Sequence, residues 1–120
     1  MAFDKLHELR ASALVIGQDV FFNTYAAQIA ARSIRAAMPT IYGDREFAEA
    51  GGLMSYGTDQ LDTFCQVGVY AGRILKGEKP ADLPVLQASK FELLINLKTA
   101  RTLGLTLSPD VLSIANEVIE

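Results

Sequence analysis

Gly51-Gly52-Leu53-Met54-Ser55-Tyr56-Gly57 is the stretch on which the reading of this chain turns. Two glycines end what precedes it. A short apolar run of strand length follows, then a polar pair, then another glycine. Thr58-Asp59-Gln60 next opens the longest helical pattern in the chain. A strand that stops in Ser-Tyr-Gly and feeds a helix sets polar side chains at the carboxyl edge of a sheet. Open α/β sheets bind small molecules at that edge. The stretch is therefore expected to form one wall of a ligand site, with no catalytic machinery around it.

Working outward, Ala13 to Gly17 is a continuous apolar run, as suits a strand covered on both faces. Thr40-Ile41-Tyr42 reads as a second strand, Leu53–Tyr56 as the third and Phe91–Ile95 as the fourth. Helices are expected between them. Phe3, Leu6 and Leu9 mark a short one. A helix from about Asn23 to Ala37 would bury Tyr25, Ile29, Ala30 and Ile34, and Pro39 halts it. About one turn spans Glu46 to Ala50. The longest helix, about Gln60 to Lys76, carries Leu61, Phe64, Cys65, Gly68, Gly72 and Leu75 on one side. Its two stripe glycines cost about 1 kcal/mol each relative to alanine, which suggests close packing against something or a helix stabilised mainly by its partner. Asn96 is placed to cap a helix Leu97–Leu103, and Ser108-Pro109-Asp110 to start a last one running to about Ile119. The β-α alternation predicts an α/β fold: a small, mainly parallel sheet of about four strands flanked by helices, in a single domain over residues 1–120.

Composition narrows the function. Acid and base are mixed along the chain, and the net charge is −3. No basic block is present, so no nucleic-acid partner is expected. The single Cys65 excludes an internal disulfide and any multi-cysteine metal site. No run approaches the ~18–20 apolar residues of a membrane span. Met1-Ala2-Phe3-Asp4-Lys5 has no apolar signal core, so the chain as written is expected in the cytoplasm. His7 has no nearby His or Cys. Ser55 lacks the Gly-x-Ser-x-Gly setting of an esterase, and no lysine follows Gly51-Gly52 at phosphate-loop spacing. No enzyme, metal or cofactor is expected.

The candidate ligand-binding residues are Gln18, Asp19, Phe22, Tyr42, Ser55 and Tyr56. Asp19, after the first strand, could meet a ligand ammonium or cap the next helix. Gln18 could hydrogen-bond a carboxylate or hydroxyl. Phe21 and Phe22 point different ways, so one ring could pack while the other stacks on a solute. Tyr42 and Tyr56 end the second and third strands. Asp44, Arg45, Glu46 and Glu49 read as a charged helix start on the surface.

Longer strings carry a resemblance. Tyr70-Ala71-Gly72-Arg73-Ile74-Leu75-Lys76-Gly77-Glu78-Lys79-Pro80-Ala81-Asp82-Leu83-Pro84-Val85 is the longest. Lys90-Phe91-Glu92-Leu93, Ile95-Asn96-Leu97-Lys98-Thr99-Ala100 and Ala115-Asn116-Glu117-Val118-Ile119-Glu120 extend it. With Glu46-Phe47 and Ala50 to Gly57, these resemble the C-terminal part of bacterial ABC-transporter substrate-binding proteins. The resemblance implies part of one lobe of a two-lobed, type I periplasmic-binding fold. Such a protein closes on a small organic solute such as an amino acid and delivers it to an ABC permease. Intact members work in the periplasm or otherwise outside the cytoplasmic membrane.

The resemblance also implies that this chain matches only about the last third of a member. The strand matching Leu53–Tyr56 would then cross a hinge, and Phe91–Ile95 would return. The Gln60–Lys76 helix would lack the lobe it packs on, so a homo-oligomer, most simply a dimer, is expected through that helix. Two rival readings remain: an oligomeric structural remnant without ligand binding, and a small flavodoxin-like enzyme that would need a cofactor.

Overall fold

Short runs rich in β-branched residues form strands, because Val, Ile and Thr are stiff at χ1 and pack well on a pleated surface. Leu14–Ile16 (β1) and Thr40–Tyr42 (β2) follow this rule, whereas Met54–Thr58 (β3) and Phe91–Asn96 (β4) carry one β-branched residue each and are strands through their pairing with neighbours. The structure, a computed structural model, describes residues 2–120. Its strands form a five-stranded sheet in the order β1-β2-β3-β4-β5, the last being Glu117–Ile119 (β5). β1 lies parallel to β2 with Ile16 beside Tyr42, and β2 parallel to β3 with Tyr42 beside Ser55. β4 and β5 are also parallel. Between β3 and β4, Asn96 N–H donates to Leu53 O at 2.9 Å and Asp59 N–H to Lys90 O at 3.0 Å, so those two strands run in opposite directions. The sheet is thus mostly parallel, as the alternation implied.

β5 corrects the sequence reading, which carried the last helix to Ile119. That helix, Pro109–Ser113 (α7), does start with Ser108 accepting from Val111 N–H at 3.3 Å, but it stops early. Asn116 then pins the chain to β4. Its N–H donates to Leu93 O at 2.9 Å, and its Oδ1 accepts from Leu93 N–H at 2.8 Å. Pairing with β4 outweighs helix continuation for Glu117-Val118-Ile119.

The chain divides into two compact units, one ending at Gly57 and resuming at Glu92, the other spanning Thr58–Phe91. The first unit holds the core. Its helices are Ala2–Glu8 (α1), Val20–Thr24 (α2), Ala26–Arg35 (α3), Arg45–Glu49 (α4), Leu97–Thr102 (α6) and α7. The single helix expected over 23–37 is broken at Tyr25, because Asp19 caps and starts a separate turn earlier. α3 buries Ala26, Ala30 and Ser33, while Tyr25 stays outside. Against α3 lie Tyr42 and Phe47, their rings stacked at 4.6 Å and 12°. Tyr42 Oη donates to Ser33 Oγ at 3.0 Å. Gly52 has no room for a side chain here: a Cβ would sit 2.6 Å from the Tyr42 ring.

Buried polar groups tie the helices to the sheet. Asn96 caps α6 by accepting from Thr99 N–H at 3.0 Å, and its Nδ2 donates to Ala48 O at 3.2 Å. Thr99 Oγ1 donates to Gly51 O at 2.7 Å. Arg45 pairs within α4 with Glu49 at 2.8 Å and joins that helix to two strands through Glu92 at 3.1 Å and Glu117 at 3.0 Å. Isolated surface pairs contribute little, but one fork shared by several carboxylates forms a network. These carboxylates, Glu49 first, raise the Arg45 pKa.

The second unit is a helix and a strap. Gln60–Leu75 (α5) begins where Asp59 accepts from Asp62 N–H at 2.9 Å. A 3₁₀ turn at Pro80–Asp82 leads the strap back. Tyr70 Oη donates to Pro84 O at 2.5 Å, and Arg73 pairs with Glu78 at 2.6 Å. None of residues 58–91 is buried. The stripe glycines of α5 are not closely packed: a Cβ on Gly68 or Gly72 would meet nothing within 4 Å.

Candidate functional site

Parallel strands deliver their carboxyl ends to one edge, and here that edge gathers the tips of β1, β2 and β3. Gln18 follows β1, Gly43 and Asp44 follow β2, and Tyr56 and Gly57 lie in the last part of β3. Gln18 Nε2 donates to Gly43 O at 3.0 Å and to Asp44 Oδ1 at 2.9 Å. Gly57 closes the cluster. A Cβ there would stand 1.9 Å from Gly43 O and 3.3 Å from Gln18 Nε2. Only glycine lets the third tip approach the second this closely.

The six expected residues fare differently. Gln18 and Asp19 are exposed at the edge. Asp19 Oδ1 also accepts from Phe21 N–H at 2.8 Å, so it caps α2. Phe22 is exposed and meets Phe21 edge-on at 5.9 Å. Both rings line an apolar groove of about 650 Å³ that runs along β1 and α3. Tyr56 is 54% exposed. Tyr42 and Ser55, neighbours in the register, are each only 1% exposed.

Tyr42 therefore departs from expectation. Its ring is a core element behind the edge, and burial holds its hydroxyl's pKa above the ordinary tyrosine value against the opposing pull of Ser33 and Thr40. Ser55 keeps its place on β3 but is enclosed, and its Oγ makes no hydrogen bond with the described residues. A buried hydroxyl without a partner costs about 1–3 kcal/mol, so such groups commonly mark a place for water or a ligand.

Asp44 and Gly57 were missed. The sequence pattern puts Asp44 in a charged helix start on the surface, yet it is 4% exposed and receives the Gln18 amide. The only signal in the sequence is its position directly after a strand-ending Tyr-Gly. Gly57 carried a signal in Ser-Tyr-Gly, read there as a strand exit and not as a contact.

The groups at the edge are suited to hydrogen bonding and aromatic contact. The edge offers amide, carboxylate, hydroxyl and aromatic groups. Arg45, the nearest cation in sequence to Asp44, is committed to Glu49, Glu92 and Glu117. Among the described residues no group of three or more His, Cys, Asp or Glu could hold a metal ion. Cys65 is exposed on α5. No helix of the described residues is long and apolar enough to cross a membrane.

The family described as ABC transporter substrate binding protein matches residues 2–119. A conserved domain protein of Vibrio cholerae is similar at 25% identity and a TM-score of 0.88, over 98% of this chain and 39% of its own. The ABC domain of Streptococcus pneumoniae in complex with L-Trp is similar at 30% identity and a TM-score of 0.86, over 95% of this chain and 39% of its own. A ligand-free, open substrate binding protein with adhesive properties from Clostridium difficile shares the fold at 18% identity, with a TM-score of 0.66 over 98% of this chain and 40% of its own. No curated protein matches. The chain thus spans about two-fifths of the length of the solved structures it resembles. A sheet edge of this form, under a family match that runs almost end to end, places the chain in the ABC transporter substrate binding protein family.

Proposed function

We propose that this chain is part of the ligand-binding half of a solute-binding protein, truncated relative to the whole, and that it holds a small organic molecule without covalent chemistry. The carrying observation is the shared edge of β1, β2 and β3, where Gln18, Asp19 and Tyr56 stand exposed and Ser55 Oγ lies unpartnered behind them. Phe22 adds an exposed ring. The relative with L-Trp bound supports an amino acid, aromatic ones first. Asp19 would take the ammonium and an aromatic face the side chain. Tyr42 would act only as the wall behind. The whole protein would work outside the cytoplasmic membrane and pass its solute to an ABC permease.

The chain contains no tryptophan, so L-tryptophan can be excited without background from the protein. Titration is expected to shift and saturate the indole emission, and to raise the melting temperature. A ligand at 100 times its Kd stabilises the native state by about 2.7 kcal/mol. A flat titration, together with no stabilisation by any of a panel of amino acids, would sink the reading.

A second reading is favoured by α5. Leu61 is 75%, Phe64 69% and Leu75 88% exposed. Each would contribute about 1.5–3 kcal/mol if fully buried. On this reading the chain forms a homodimer through α5, with or without a ligand. Sedimentation should give twice the chain mass, reverting to one on Leu61→Glu with Phe64→Glu. A monomer at every concentration tested excludes the dimer.

A further inference from the structure

We infer that Asp44 is a positioning residue that sets the hydrogen-bonding polarity of the strand edge, so that the group received beside Gln18 is a donor, an ammonium in preference to a carboxylate. The inference rests on the solute-binding reading above. A glutamine amide has two N–H donors and one acceptor oxygen. Both donors of Gln18 are spent, on Gly43 O at 3.0 Å and on Asp44 Oδ1 at 2.9 Å. Neither of those oxygens can donate when Asp44 is ionised. Turning the amide over would set Oε1 against two oxygens, one of them on an enclosed carboxylate. The amide is therefore held one way round, with Oε1 left over on an exposed residue. The donor role that the sequence allowed Gln18 is closed.

The surroundings point the same way. Asp19, the next residue, uses Oδ1 on Phe21 N–H, leaving its other oxygen for a guest. The guanidinium of Arg45 is turned to Glu49, Glu92 and Glu117. A guest carboxylate would meet acceptors here, whereas an ammonium would meet at least two, Gln18 Oε1 and the second Asp19 oxygen. The carboxylate end of an amino acid would have to be received elsewhere.

Three probes separate the cases: L-tryptophan, tryptamine (no carboxylate) and indole-3-propionate (no ammonium). Each is titrated into the wild-type chain, Asp44→Ala and Asp44→Asn. The wild type is expected to bind tryptamine at least about tenfold more tightly than indole-3-propionate, the size of a hydrogen bond to a charged group. Asp44→Ala removes one of the two acceptors that hold the amide, leaving only Gly43 O, and should shrink that ratio. Asp44→Asn keeps an acceptor oxygen and should restore it. A merely structural role would weaken all probes together and leave the ratio unchanged, which would overturn the inference. So would indole-3-propionate equalling tryptamine in the wild type, whether both bind or neither does beside a binding L-tryptophan. If Asp44→Ala fails to fold, the wild-type ratio and its retention in Asp44→Asn decide. Binding of none of the three overturns this inference, and if no amino acid of the panel stabilises the chain either, the solute-binding reading falls with it. Equal binding of the two analogues defeats this inference alone.

Discussion

The two units of this chain handle apolar surface in opposite ways. In the first, Ala30, Tyr42, Phe47, Ala48, Leu94, Ile95 and Ala100 are almost wholly enclosed. In the second, no residue from 58 to 91 is buried, although α5 and its strap carry Leu61, Phe64, Val67, Leu75 and Val85. Both regions have an apolar stripe at helical spacing. Only in the first is part of that stripe enclosed, at Ala26 and Ala30. An amphipathic pattern therefore says which face seeks cover, and not whether this chain supplies it.

The sharpest test is a matched pair of truncations. Phe47→Ala removes a stacked core ring and is expected to cost about 3–5 kcal/mol. Against a total stability of about 5–15 kcal/mol, that is a large share. Phe64→Ala on α5 should stay within about 0.5 kcal/mol in dilute solution, as for exposed positions generally. Urea denaturation of both variants measures the contrast. If Phe64→Ala proves nearly as costly as Phe47→Ala, α5 is covered in solution and the contrast fails. A cost that appears only as concentration rises would sharpen it instead, by identifying a second copy as the cover.

Glycines extend the comparison with a smaller effect. At Gly57 an added methyl would overlap Gly43 O at 1.9 Å. Gly57→Ala should cost about 1–3 kcal/mol through overpacking, and it should spoil the edge and with it solute binding. At Gly68 the same methyl meets open space. Gly68→Ala should stabilise by about 1 kcal/mol, the ordinary helix-propensity difference. Thermal melts of the two should therefore move in opposite directions. A destabilising Gly68→Ala would mean that something packs against that face of α5.

The same contrast explains what the sequence made legible. β1 to β4 were readable because each is a short apolar run with turn residues beyond it, a local signal. β5 was not, since Glu117-Val118-Ile119 becomes a strand only through partners on β4, over twenty residues away. At the edge, the exposed positions of Gln18, Asp19 and Tyr56 followed from topology. The burial of Tyr42 did not, because a three-residue strand does not reveal which face is closed, and α3 and Phe47 decide it. Asp44 was misread for a similar reason. It accepts from a glutamine 26 residues earlier in the chain, and nothing adjacent to it announces that pairing.

Tyr42 supplies the smallest test, and it belongs to the closed unit alone. Burial is the largest influence on its hydroxyl and raises the pKa above the usual value of 10.0, with the hydroxyls of Ser33 and Thr40 opposing. The folded state therefore prefers the neutral form more strongly than the unfolded chain does. Stability from this group is whole below the unfolded pKa of about 10 and is lost as pH rises through the higher folded value. Tyr42→Phe removes the titration together with the 3.0 Å bond to Ser33 Oγ. At neutral pH the variant should be weaker by about 1 kcal/mol, the usual net worth of such a bond. Above about pH 10 the wild type should lose that advantage, because only it must then keep a buried phenol protonated or bury a phenolate. Urea midpoints of both proteins across the alkaline range test this directly. A difference that stays constant with pH would place Tyr42 in contact with water, and would return its ring to the open edge of the sheet.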